Sequence, residues 1–147
     1  SSIMEKKKIT HKDNARHDEQ RDVLDNLQNR GICNFCQGEN FLEGHASPVL
    51  METKHWVATK NRWAYEGATN HLLVINKEHL ISVTELSSEA WEDLQKITLK
   101  LVREFNIEGG TFLLRFGDMR FNGSTVQHLH AQIVSGDETK PVLTRIG

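Results

Sequence analysis

The chain has 147 residues, 37% of them hydrophobic, which supplies apolar material for one core and matches the length of a single folded unit. Acidic and basic residues are interspersed and the formal charge is -2, so the sequence lacks the basic face that a nucleic acid polymer or an anionic membrane surface requires. No run approaches the ~20 apolar residues of a membrane span. Lys6, Lys7 and Lys8 precede polar residues, not the apolar segment of a signal peptide, so a cytoplasmic protein with a small-molecule partner is expected.

Residues 1 to about 12 are charged and aperiodic, and they read as a poorly ordered, solvated tail. From Asp13 to Arg30, Val23, Leu24 and Leu27 fall at helical spacing and Gly31 follows as a stop, which predicts a short helix packed on the body. Residues 1–30 thus form a charged tail and N-terminal helix, ahead of the main unit at 31–147. Cys33-Asn34-Phe35-Cys36 lies in a turn punctuated by Gly31 and Gly38. Residues 41–53, with Gly44, Ser47 and Pro48, read as a loop entering a strand, and His55 to Thr59 has strand composition. His71-Leu72-Leu73-Val74-Ile75 is a nearly continuous apolar run of strand length, as in a central strand covered on both faces.

Ser87 or Ser88 can cap a helix whose Trp91, Leu94, Ile97, Leu101, Val102 and Phe105 share one apolar stripe. Gly109-Gly110 ends that region. Thr111 to Phe116 predicts a strand, Gly117 to Ser124 a turn-rich loop, and Val126 to Val134 a final strand. Strands mixed with two main helices, without regular alternation, indicate an α+β domain with a mainly antiparallel sheet of about five strands.

The last strand carries the chemistry. Side chains alternate between faces, so His128, His130 and Gln132 project from one side while Leu129, Ala131 and Ile133 project from the other. Upstream, Asn122-Gly123-Ser124-Thr125 supplies backbone N–H groups and small donors suited to phosphate oxygens. A second constellation joins Cys33 and Cys36 with His79 and His128, two thiols and two imidazoles that would complete a tetrahedral zinc site. On spacing alone, two reduced buried cysteines account for the pattern equally well, and a disulfide is the weakest reading. His11, His17, His45 and His55 fall in no cluster and read as surface or loop residues, while His71 is placed near the site.

Gly123-Ser124-Thr125-Val126-Gln127-His128-Leu129-His130-Ala131-Gln132 resembles the signature of the histidine-triad (HIT) superfamily of nucleotide hydrolases and transferases. Glutamine stands where the third histidine is common. This His-x-His-x-Gln form is similar to the branch holding galactose-1-phosphate uridylyltransferase and the dinucleoside-polyphosphate phosphorylases. His71 to His79 resembles the family's central strand and following histidine, and Asn61-Arg62-Trp63-Ala64-Tyr65 its nucleoside-binding segment, so the likeness runs from about Cys33 to Gly136. Ser124 replaces a glutamine common in hydrolase members, and Ala64 a frequent proline.

The resemblance implies a HIT-like α+β fold with a catalytic domain at 31–147. It makes His130 the nucleophile on the α-phosphate of a nucleotide or dinucleoside polyphosphate, and Gln132 a partner of phosphate oxygens. Cys33, Cys36, His79 and His128 become ligands of a structural zinc; Asn61 binds the ribose, Trp63 and Tyr65 lie near the base, and Asn122, Gly123, Ser124 and Thr125 contact phosphate. It also implies a homodimer. A glutamine cannot be protonated at neutral pH and so cannot act as an acid. Position 132 therefore favours transfer or phosphorolysis over the alternative of hydrolysis to a nucleoside monophosphate; a non-catalytic nucleotide-binding zinc module is the reading of another class.

Overall fold

A five-stranded sheet in the order β1-β2-β3-β5-β4 divides the molecule into two layers, and every strand pairing in it is antiparallel. The computed structural model describes residues 8–147, so the first part of the predicted tail, including Lys6 and Lys7, lies outside the described residues. In chain order the elements are α1 (Asp18–Arg30), β1 (Val49–Glu52), β2 (Trp56–Lys60), β3 (Ala68–Asn76), α2 (Ser88–Glu104), β4 (Thr111–Arg115) and β5 (His130–Gly136). This is the expected α+β architecture. No helix among the described residues is long and apolar enough to cross a membrane.

One face of the sheet is covered by α2. The helix starts at Ser87, whose hydroxyl accepts from the Ala90 N–H at 3.1 Å. Leu94, Ile97 and Leu101 then pack on Trp56, Ala58, Leu72, Val74, Leu129, Ala131 and Ile133, each buried aliphatic side chain contributing roughly 1.5–3 kcal/mol. The predicted stripe is corrected at its first position. Trp91 is 44% exposed and Ala90 faces the sheet instead, because Trp56 fills that space and donates its indole N–H to the Ala90 carbonyl at 2.8 Å.

The other face carries the smaller cluster of Leu24, Phe35, Leu73, Ile75 and Val126 under α1. Gly31 ends α1 in the left-handed region at φ 69°, where its N–H reaches the Leu27 and Gln28 carbonyls. The helix begins at Asp18 and not at Asp13. Asn14 sits in a separate short turn, because its amide is committed to the Met119 and Ser124 carbonyls.

Two further expectations change. The tail is tied down from Ile9 onward: Ile9 and Thr10 are buried, both N–H groups donate to Gln28 Oε1, and Thr10 bridges Val126. Val126 to Leu129 is not part of the last strand, since Gln127 N–H donates to Ile9 and Leu129 N–H to Leu80; the ladder with β3 starts at His130. As expected, the loop at 41–53 runs into a strand, β1, which pairs back on β2 at 56–60.

Candidate functional site

The site lies on the α1 face at the junction of β3, β5 and β4. Register places Ile75 and Arg115 on either side of His130, and Leu73 and Leu113 on either side of Gln132. Cross-strand partners share a face, so Arg115, His130 and Gln132 point together into a narrow cleft. Arg16, Asn34, Phe35, His45, Asn61, Trp63, Gly123, Ser124 and Thr125 also line it. The predicted alternation holds: Leu129, Ala131 and Ile133 are in the α2 core, while His130 and Gln132 face the cleft and His128 turns to the two cysteines.

His130 is 6% exposed and its ring stands nearly perpendicular to that of Phe35, 5.0 Å between centroids. Its Nδ1 donates to the His128 carbonyl at 2.7 Å. A carbonyl can only accept, so the proton of the neutral ring sits on Nδ1 and Nε2 carries the bare lone pair. Burial, with the Arg115 and His45 charges adding, lowers the pKa to about 4. The imidazole is therefore further from protonation at neutral pH than a ring with the ordinary histidine value of ~6.5 would be.

Gln132 is also buried, and its orientation follows by the same reasoning. The Tyr65 backbone N–H donates to His71 Nδ1 at 3.1 Å, which puts the His71 proton on Nε2. That nitrogen lies 2.5 Å from Gln132 Oε1, and the Tyr65 hydroxyl donates to the same oxygen at 3.2 Å. With two donors on the oxygen, the Gln132 amide nitrogen is the end left to serve the cleft. Burial lowers the His71 pKa to about 4, Arg16 and Arg115 contributing.

Asn61 lies in the cleft, its amide oxygen accepting the Trp63 N–H at 2.8 Å and its amide nitrogen 3.1 Å from His71 Nε2. Trp63 lines the cleft as well, with the Arg62 guanidinium over its ring. Tyr65 does not: it is buried, and its hydroxyl, which also accepts from Arg115 Nη1 at 3.0 Å, supports Gln132 from below. Gly123, Ser124 and Thr125 line the cleft, whereas Asn122 turns its amide to the Phe116 carbonyl and its oxygen to the Ser124 N–H.

Cys33, Cys36, His79 and His128 converge, all four ligand atoms lying within 4.8 Å of one another. His128 Nε2 donates to the Asn76 carbonyl at 2.6 Å, which leaves Nδ1 unprotonated and turned to the cluster. That Nδ1 lies 3.5 Å from Cys33 Sγ, 3.6 Å from Cys36 Sγ and 3.2 Å from His79 Nδ1. A tetrahedral zinc with ordinary Zn–N and Zn–S bonds sets its ligand atoms about 3.3–3.8 Å apart, so the donor set fits that ion. Neither cysteine is in a disulfide among the described residues.

The family model of the HIT domain matches residues 44–139. The chain belongs to the HIT family. Among solved structures, a HIT family hydrolase from Clostridium thermocellum is 26% identical at a TM-score of 0.54, covering 65% of this chain and 84% of that one. A Zn-bound histidine triad family protein from Mycobacterium smegmatis is 20% identical at a TM-score of 0.52, covering 72% and 78%. A histidine triad nucleotide-binding protein from Candida albicans is 19% identical at a TM-score of 0.54, covering 71% and 82%. The last two show a shared fold. No curated protein matches the chain.

In this HIT protein the cleft also holds side chains beyond those expected from the sequence, among them His45, Phe35, Arg115 and Arg16. His45, read there as a surface or loop residue, is buried, its Nε2 2.8 Å from the Lys60 carbonyl, and burial lowers its pKa. Phe35, inside the cysteine turn, packs against His130 in the cleft. Arg115 had a usable signal, because it ends an apolar strand on the face of Thr111 and Leu113. Arg16 had none, since it reaches the cleft from outside the matched segment.

Proposed function

We propose that this HIT protein is a nucleotidyltransferase or phosphorylase that acts at the α-phosphate of a nucleotide or dinucleoside polyphosphate, through a nucleotidyl group held on His130. The observation that carries this reading is the tautomer of His130: Nδ1–H is spent on the His128 carbonyl, so Nε2 faces the cleft as a nucleophile and needs no further base. Nε2 gives its lone pair to the α-phosphorus, and the phosphorus–oxygen bond to the leaving group breaks, its electron pair departing with that group. An acceptor oxygen then displaces the imidazole.

The Gln132 amide nitrogen and the backbone at Gly123 to Thr125 would steady the non-bridging oxygens. Asn61 and Trp63 would hold the nucleoside, and Asn122 would act indirectly by shaping the Ser124 turn. Cys33, Cys36, His79 and His128 would hold a zinc that cross-links the cysteine turn to the segment entering β5. The exposed Phe112 and Phe116 beside the free edge of β4 suit pairing with a second copy, which supports a homodimer.

Incubation with diadenosine tetraphosphate, with and without orthophosphate, tests the acceptor. ADP and ATP that form only with orthophosphate support phosphorolysis. AMP and ATP formed regardless of it support hydrolysis, the second reading, which the name of the Clostridium thermocellum relative favours.

A further inference from the structure

Two guanidinium groups enter the His130 cleft from opposite ends of the sequence, and no aspartate or glutamate is among the described residues that line it. Arg16 comes from the segment ahead of α1, stacks over the Tyr65 ring with its guanidinium carbon 4.5 Å from the centroid, and donates to the Trp63 carbonyl. Arg115 comes from β4 and donates to the hydroxyl of the same Tyr65. Its Nε is buried without a partner among the described residues.

Other arginines nearby are neutralised by carboxylates: Arg62 lies 2.6 Å from Glu19, and Arg30 2.9 Å from Glu43. Arg16 and Arg115 form no such ion pair among the described residues. Two like charges gathered around one tyrosine repel each other; Arg16 is exposed and Arg115 half-buried, so the cost of lacking a counter-charge falls mainly on Arg115, whose Nε is buried. Partial desolvation and the Arg115 charge still pull the Arg16 pKa down, against an opposing effect of Tyr65.

An α-phosphate inside a phosphoanhydride chain carries one negative charge, which two guanidinium groups exceed. We infer that Arg16 and Arg115 form a clamp for phosphates beyond the α-phosphate, making polyphosphate-bearing donors, and not donors with an uncharged leaving group, the substrate class of this site. The inference rests on the nucleotide reading above and adds the part of the ligand that leaves. It also gives the segment before α1, outside the HIT match, a role in selectivity: guanidinium groups suit phosphate oxygens, Tyr65 holds both, and Thr144 and the Arg145 carbonyl hold Arg115 Nη2, which leaves its Nε as the unengaged donor.

The test is calorimetric titration of the full chain with AMP and with α,β-methylene ATP, whose α–β bridge resists cleavage, in magnesium-free buffer. The ratio of the two affinities cancels losses in the shared nucleotide subsite. The wild type should bind the triphosphate at least about tenfold more tightly; Arg16→Gln should shrink that ratio about tenfold, and Arg16→Lys should retain part of it. Thermal melting of each variant confirms its fold. Equal affinities in the wild type, or a ratio that survives Arg16→Gln, overturn the clamp alone. If neither ligand binds, the nucleotide reading falls and the clamp with it.

Discussion

His71 Nε2 and Gln132 Oε1 stand 2.5 Å apart, and this contact decides which end of the Gln132 amide meets a ligand. The chain of causes starts in the backbone: Tyr65 N–H occupies His71 Nδ1, the remaining proton goes to Nε2, and Nε2–H claims the amide oxygen. His71 is a positioning residue. Replacing it with alanine frees the Gln132 amide to rotate and removes a buried hydrogen bond. The expected loss is about 10- to 100-fold in kcat/KM, carried by kcat more than by KM. An unchanged kcat in His71→Ala measured by steady-state kinetics would refute the assignment.

Acid should weaken the fold through the same residue. The folded pKa of His71, about 4, lies below the unfolded ~6.5, so the unfolded chain binds more protons between these values. The stabilisation is complete above pH ~6.5 and is lost as pH falls towards 4. Urea unfolding at pH 7.5 and 4.5 should show that the wild type loses about 2 kcal/mol more than His71→Gln over that interval. Equal losses would show that His71 is not the titrating group.

Metal should matter for stability. If zinc occupies the cluster, elemental analysis gives one zinc per chain, chelation lowers Tm by at least about 5 °C, and Cys36→Ser abolishes both the zinc and the chelator effect. A chelator-insensitive Tm in metal-analysed protein would contradict the proposed zinc site.

The readable parts of the fold and site were those whose cause is local. The alternation of His128, Leu129, His130, Ala131 and Gln132, the Ser87 cap and the Gly31 stop depend on a few neighbouring residues, and each is visible in the sequence. The rest depends on pairing across the chain. Val126 leaves the last strand because Thr10, 116 positions earlier, takes its backbone, and Arg115 becomes a site residue only through its register with His130. His45 enters the cleft because Lys60 holds its ring there. Trp91 has the spacing of the apolar stripe but faces out, because Trp56, on another element, fills the space.

Gly123 shows how closely the C-terminal residues pack on the phosphate-facing turn. It has φ 70°, and a Cβ there would lie 3.0 Å from the Arg145 carbonyl, the group that accepts from Arg115 Nη2. Gly123→Ala should cost about 1–3 kcal/mol in urea unfolding and should also lower activity by moving Arg115. Full stability with full activity would show that the turn tolerates a side chain.

The most direct test of the central claim is intact-mass analysis after incubation with a nucleotide donor, on the wild type and on His130→Asn. The account predicts one acid-labile nucleotidyl adduct on the wild type, mapped to His130, and neither adduct nor turnover in the variant. Turnover that persists in His130→Asn would contradict it.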